Sequence, residues 1–139
     1  MHQATHILRV RAPRRGLLEI TREIAAWAGS QGVSTGLLTI YCRHTSASLL
    51  IQENAAPEAR ADLEAYFEQI APEASGRYTH EDEGPDDMPS HIRAALTAVQ
   101  LSVPVVGGRL ALGTWQGVFL FEHRQPSGTR ELLLHLIGE

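Results

Sequence analysis

The chain has 139 residues, of which 43% are hydrophobic and 20% charged, with a formal net charge of −4. That is the length and mix of one globular domain, which excludes a disordered chain, and the acidic balance leaves no global basic field to hold nucleic acid. The one cysteine, Cys42, cannot close an internal disulfide. No apolar run approaches the ~18 residues of a membrane span, and the first residues lack the pattern of a secretory leader. The cytoplasm is the expected location.

Thr5 to Arg11 alternates and reads as a strand ended by Pro13, with Arg14-Arg15-Gly16 as a loop. Thr21 is positioned to cap a helix running to about Gln31, with Ile20, Ile24, Trp27 and Ala28 at helical spacing. Gly36 to Cys42 and Ser48 to Gln52 read as strands separated by the polar Arg43-His44-Thr45-Ser46. Asn54 is a candidate cap for a helix opening at Pro57, whose apolar stripe is Leu63, Tyr66, Phe67 and Ile70. A polar stretch from Pro72 to Pro85 follows, then a helix opening at Pro89 with Ile92, Ala95, Leu96 and Val99 as its apolar face. Four strands complete the chain: Leu101 to Val106, Arg109 to Leu112, Gly117 to His123, and Arg130 to Ile137. Gly107-Gly108 and Gln125-Pro126-Ser127-Gly128 supply the turns. This order predicts a single α+β domain over 1–139 with mostly antiparallel pairing.

Seven histidines is a high count for this length, and histidine is the side chain that most readily serves as acid, base or ligand near neutral pH. His44 sits where a strand ends, and Thr45 and Ser46 offer hydroxyls and N–H groups to a phosphate or to the imidazole. A solvated turn is the plainer reading. Glu53 is a carboxylate candidate for the same cleft. Between His80 and His91 five carboxylates fall within seven residues, Glu81 to Asp87, and need cations, a helix N-terminus or solvent around them. His44, His80 and His91 are candidates for a three-histidine metal site with an open position, set against a loop of solvated residues. Glu122 ends an apolar row as a possible general acid or base, or as a rim partner of Arg130. Trp115 and Gln116 can stack on and hydrogen-bond a ring, although core packing is the plainer role for Trp115. Cys42 is expected to be core rather than nucleophile.

In order, the strings HTSASLLIQENA (His44 to Ala55), YTHEDEGPDDMPSHIRAAL (Tyr78 to Leu96) and GGRLALGTWQGVFLFEHR (Gly107 to Arg124) resemble the YjbQ family, also called the secondary thiamine-phosphate synthase family. The likeness departs at Gln52 and Ala56, where the family pattern carries Asn and Asp. The resemblance implies a two-sheet β-sandwich flanked by about three helices, a homotrimer, and a pocket carrying the histidines and Asp87. It also implies formation of thiamine phosphate from an aminopyrimidine pyrophosphate and a thiazole phosphate.

On that reading Asp87, Glu122 and His91 are the catalytic candidates. Thr45, Ser46, Arg109 and Arg130 are candidates to meet phosphate, and Trp115 and Gln116 to meet the ring. His44, His80 and His91 would hold a divalent metal, Mg²⁺ or Zn²⁺. Two alternatives stand beside it: a metal-dependent hydrolase of a small phosphorylated or cyclic metabolite, and a non-catalytic trimeric ligand-binding protein. The expected partner is a small molecule, with neither nucleic acid nor membrane.

Overall fold

Strand alternation sets the architecture. The computed structural model describes residues 1–74, 76–125 and 128–139. Its elements run β1 (His2–Val10), β2 (Gly16–Glu19), α1 (Thr21–Ser30), β3 (Thr35–Cys42), β4 (Ala47–Glu53), α2 (Pro57–Ile70), α3 (Asp87–Leu96), β5 (Gln100–Val106), β6 (Arg109–Leu110), β7 (Gln116–Glu122) and β8 (Arg130–Gly138). The strands form a five-stranded sheet, β1-β8-β3-β5-β6, and a three-stranded sheet, β2-β7-β4, with antiparallel ladders in both. The fold is thus the α+β arrangement with antiparallel pairing that the order of elements predicts, built as the two sheets and three helices that the family resemblance implies.

Period-2 patterning puts Leu38 and Ile40 of β3, Val103 and Val105 of β5, and Leu132, Leu134 and Leu136 of β8 on one face of the large sheet. They pack against Leu49, Val118 and Leu120 of the small sheet, and Ile24 and Ala28 of α1 close the same core. β7 is covered on both faces. Its odd-numbered residues Phe119 and Phe121 point the other way, where Leu63 and Phe67 of α2 cover them. Phe67 meets Phe121 edge-on at 5.2 Å. Tyr66 and Ile70 of the expected α2 stripe are left exposed.

Several local expectations give way to tertiary contacts. The loop read at Arg14-Arg15-Gly16 ends at Gly16, where β2 begins, pairing Leu17 with Phe121 and Leu18 with Leu120. Thr21 does not cap α1. Ile20 holds that position, while Thr21 Oγ1 donates to Glu19 Oε2 and accepts from Val118 N–H. Asn54 does not cap α2 either. Glu53 Oε2 accepts the Ala55 and Ala56 N–H groups, and Asn54 Nδ2 donates to Glu19. The strand expected over Arg109 to Leu112 is only two residues long. In the Gln125 to Gly128 turn, Pro126 and Ser127 lie outside the described residues.

The largest departure is α3. It opens at Asp87, and its buried side is Asp87, Pro89, Ser90, Arg93 and Ala94, while Leu96 and Val99 of the expected apolar face are exposed. The polar side faces inward because it has partners there. Ser90 Oγ donates to the carbonyl oxygens of Asp86 and His123, and Arg93 Nη2 donates to Ala71 O at 2.7 Å.

The register gives the sandwich two distinct ends. Cys42 of β3, Ala47 of β4, Glu122 of β7 and Arg130 of β8 share one end. Thr35, Val106, Glu53 and Gln116 mark the other. Gly36 and Gly138 face each other where β3 and β8 meet at that far end, and a Cβ on Gly36 would run into Ile137 O and Val33 Cγ1. We expect Gly36→Ala to cost roughly 1–3 kcal/mol through this overpacking, read as a lower urea midpoint with an unchanged slope.

Candidate metal centre

Asp87 and His91 are i and i+4 on α3, so one face of its first turns carries both. His80 comes from the polar segment before the helix. His80 Nε2 lies 2.9 Å and His91 Nε2 3.0 Å from the same oxygen, Asp87 Oδ2. The remaining ring nitrogens also face oxygen. His91 Nδ1–H donates to Thr45 O at 2.9 Å, and His80 Nδ1 lies 3.3 Å from Asp82 Oδ1. A carbonyl accepts only, so the His91 proton sits on Nδ1 and its Nε2 turns a lone pair towards a carboxylate oxygen. Two acceptors at that distance need something between them, either a second proton on the ring or a cation shared with His80. His80, Asp87 and His91 offer three ligand atoms within 4.8 Å of one another. Ligands about 2.0–2.2 Å from a tetrahedral ion stand roughly 3.3–3.6 Å apart, so the donor set fits a metal in number, type and spacing.

The carboxylate at the middle is held from behind. Arg124 Nη1 lies 3.2 Å from Asp87 Oδ1, its Nη2 lies 3.1 Å from Asp86 Oδ1, and Nη2 also donates to Glu83 O at 2.9 Å. Arg124 thus occupies one oxygen of Asp87 and leaves the other to the imidazoles. The Asp86 bond raises the Arg124 guanidinium above its ordinary value, against burial. Burial alone would raise the Asp86 carboxyl, but the Gln125 N–H and Arg124 outweigh it and hold the group below its usual value.

A second network lies beside the first. Arg130 grips Glu122 with two bonds, Nε to Oε1 at 2.7 Å and Nη2 to Oε2 at 2.6 Å, with both side chains buried. Arg130 Nη2 also donates to Ser46 O and Ser46 Oγ. His44 Nε2 accepts the Glu131 N–H at 2.8 Å. Burial, then the nearby Arg130 charge, lowers the His44 pKa and keeps the ring neutral. Two clefts flank the centre. One of about 370 Å³ is walled by Tyr78, His80, Pro85 and Met88; the other, about 430 Å³, by His44, Thr45, His91, Ala94, Ala95 and Val99.

The residues expected at the site therefore divide. His80, Asp87 and His91 form one cluster, with the Thr45 carbonyl, rather than its hydroxyl, as their support. His44 lines the adjoining cleft instead of joining the ligands, because its Nε2 lone pair is already taken by a backbone N–H. Glu122 and Arg130 are partners of each other, and the Ser46 hydroxyl is bound to Arg130. Arg109, Trp115 and Gln116 stand at the far end of the sandwich, about 20 Å away along β7 or β3 at ~3.3 Å per residue. Glu53, paired with Gln116, is there too. Trp115 is 63% exposed, so it is not core. Cys42 is core, and burial pushes its thiol up to about 11. Arg124 went unread in the sequence, because a contact across 37 residues leaves no local pattern.

The fold and this cluster can be set against known proteins. The YjbQ-like UPF0047 family model matches residues 6–139. The chain belongs to the YjbQ family. It is 50% identical over 99% of its length to a UPF0047 protein of Synechocystis, covering 93% of that protein. It is 48% identical over 90% of its length to YjbQ of Salmonella typhimurium, covering 91% of that relative. A solved YjbQ/UPF0047 structure from Clostridium acetobutylicum aligns with a TM-score of 0.83 at 29% identity, covering 96% of this chain and 99% of that one. A YjbQ-like protein of unknown function from Sulfolobus solfataricus aligns with a TM-score of 0.87 at 21% identity, covering 99% of this chain and 100% of that one, and shares the fold.

Behind the centre a polar seam docks α3. His123 and Ser48 are fully buried, with His123 Nε2 2.8 Å from Ser48 Oγ, and Thr97 Oγ1 2.6 Å from that same hydroxyl. Burial and then the Arg93 and Arg130 charges push the His123 pKa down to about 3, from an ordinary 6.5. Between those values the unfolded chain takes a proton that the folded chain refuses. Stability is therefore full above pH 6.5, falls as the pH drops towards 3, and flattens below. We expect a slope from this group of up to about 1.4 kcal/mol per pH unit, removed in His123→Gln and read from urea unfolding between pH 7 and 4.

Proposed function

We propose that this YjbQ-family chain is a divalent-metal-dependent enzyme centred on His80, Asp87 and His91. The observation that supports it is the convergence of two imidazole Nε2 atoms on one carboxylate oxygen, with both remaining ring nitrogens facing oxygen acceptors. Two imidazoles and one carboxylate suit Zn²⁺ or a similar ion better than Mg²⁺, which prefers an all-oxygen shell. Three protein ligands leave positions open, and a metal bound there would supply Lewis acidity and a water acidic enough to act near neutral pH. The chain's own residues do the rest. Thr45 O fixes the His91 tautomer, Arg124 holds Asp87 to one free oxygen, and the two clefts receive substrate on either side.

Hydrolysis of a small metabolite of low charge fits this surrounding best. Arg124 and Arg130 are each balanced by carboxylates, and five acidic residues lie between His80 and Asp87 or at it, so a pyrophosphate would meet little free positive charge. Condensation of an aminopyrimidine pyrophosphate with a thiazole phosphate is the second reading, favoured by a cleft on each side of the centre. A cytoplasmic setting goes with both; no helix among the described residues is long and apolar enough to cross a membrane.

We expect near-stoichiometric Zn²⁺ to survive dialysis of the wild type, with affinity at least about tenfold weaker in Asp87→Ala and His91→Ala and unchanged in His44→Ala. Metal analysis and calorimetry read this, and failure of the wild type to retain metal overturns the reading. Turnover of the two thiamine precursors above the His91→Ala background would select condensation. Ligand binding with no turnover of any substrate would make this a binding protein.

We propose further that the chain assembles as a homotrimer through the outer face of the large sheet. Among the described residues no helix covers that face, and Leu37, Tyr41 and Val106 are 41%, 46% and 63% exposed on it. Light scattering should give three times the 15.2 kDa chain mass, and Tyr41→Arg should lower it.

A further inference from the structure

The cleft beyond His91 carries a feature the metal ligands leave unused. His44 Nε2 accepts the Glu131 N–H at 2.8 Å, and a backbone amide can only donate. The single proton of a neutral imidazole must then sit on Nδ1. That Nδ1 faces Arg130 Nη1 at 3.5 Å. Two N–H donors thus stand side by side, and the long separation is that of neighbours rather than of partners. The other arms of Arg130 are engaged, Nε and Nη2 by Glu122 and Nη2 also by Ser46, whereas Nη1 meets only this ring among the described residues. The Arg130 side chain is 9% exposed and stands next to His44 rather than among the residues that wall this cleft. His44 belongs to the wall of the cleft of about 430 Å³ that it shares with Thr45 and His91.

We propose that His44 Nδ1–H and Arg130 Nη1–H form a subsite for one oxyanion of the ligand, a phosphoryl or carboxylate oxygen, beside the His80–Asp87–His91 centre. As a role in catalysis it rests on the reading of that centre; as a binding site it does not. An oxygen between the two nitrogens accepts both protons and turns an unfavourable donor–donor contact into two hydrogen bonds, one of them charge-assisted. Glu122 already balances the Arg130 charge, so the subsite takes a single oxyanion and not a polyphosphate. His44 is thereby assigned as a neutral donor that touches substrate.

The test is ¹⁵N-resolved NMR of the histidine side chains of the full chain, first as purified and then titrated with inorganic phosphate and, separately, acetate. We expect His44 to show the Nδ1–H tautomer and a saturable shift with at least one anion. His44→Phe should weaken that anion's binding by about tenfold or more. Because His44→Phe also strips the Glu131 N–H of its acceptor, the wild-type tautomer stands as the independent check. An Nε2–H tautomer, or no saturable shift with either anion, overturns the subsite. Zn²⁺ calorimetry on the same sample separates the two readings. Metal binding with an unresponsive His44 removes the subsite alone, and a responsive His44 in a chain that binds no metal removes the metal centre alone.

Discussion

The two-pronged bond between Arg130 and Glu122 joins the two sheets at the end where the chemistry-bearing residues gather. Glu122 ends β7 in the small sheet and Arg130 begins β8 in the large one, so the pair ties one layer to the other. Both side chains are buried, and loss of either would leave the other charge without compensation in a dry site. The same guanidinium reaches Ser46, which fixes the turn between β3 and β4. That turn presents the Thr45 carbonyl to His91, and His91 in turn meets Asp87. A line of hydrogen bonds therefore runs from the seam between the sheets to the middle of the candidate centre.

Around that line the molecule resolves a conflict among like groups. Asp86 and Asp87 are consecutive, buried carboxylates, and Arg124 lies across both. Its fork leaves one Asp87 oxygen facing two imidazoles. α3 can carry this load because it is anchored elsewhere by polar contacts, Ser90 to the His123 carbonyl and Arg93 to Ala71 O. The inward face of this helix is consequently largely polar, and its apolar Leu96 lies outside, as does Val99 just past its end, an inversion of the usual amphipathic rule.

Much of this was legible in the chain. Alternation in β1 and short runs of strand-forming residues elsewhere located β1, β3, β4, β5, β7 and β8 to within a few residues. β2 escaped because four residues are too few for a pattern, and its pairing with β7 is what makes it a strand. The apolar spacing of Ile92, Leu96 and Val99 pointed to the wrong face of α3, since periodicity reports where apolar residues fall and not what they meet. Family likeness named His44, His80, Asp87 and His91 together but did not sort ligand from neighbour.

By itself the sequence determined the class of fold and the family, and it pointed to the segment that carries the candidate centre, because local spacing and ordered motifs carry those. Only the tertiary structure decided which histidines share an oxygen with Asp87, and why His44 is not among them. It also decided that Arg124 and Arg130 are already paired and that Arg109, Trp115 and Gln116 stand at the other end of the sandwich. The physical reason is register: antiparallel pairing sets which residues meet across tens of positions in the chain, and a carbonyl or amide met there fixes the proton on each imidazole.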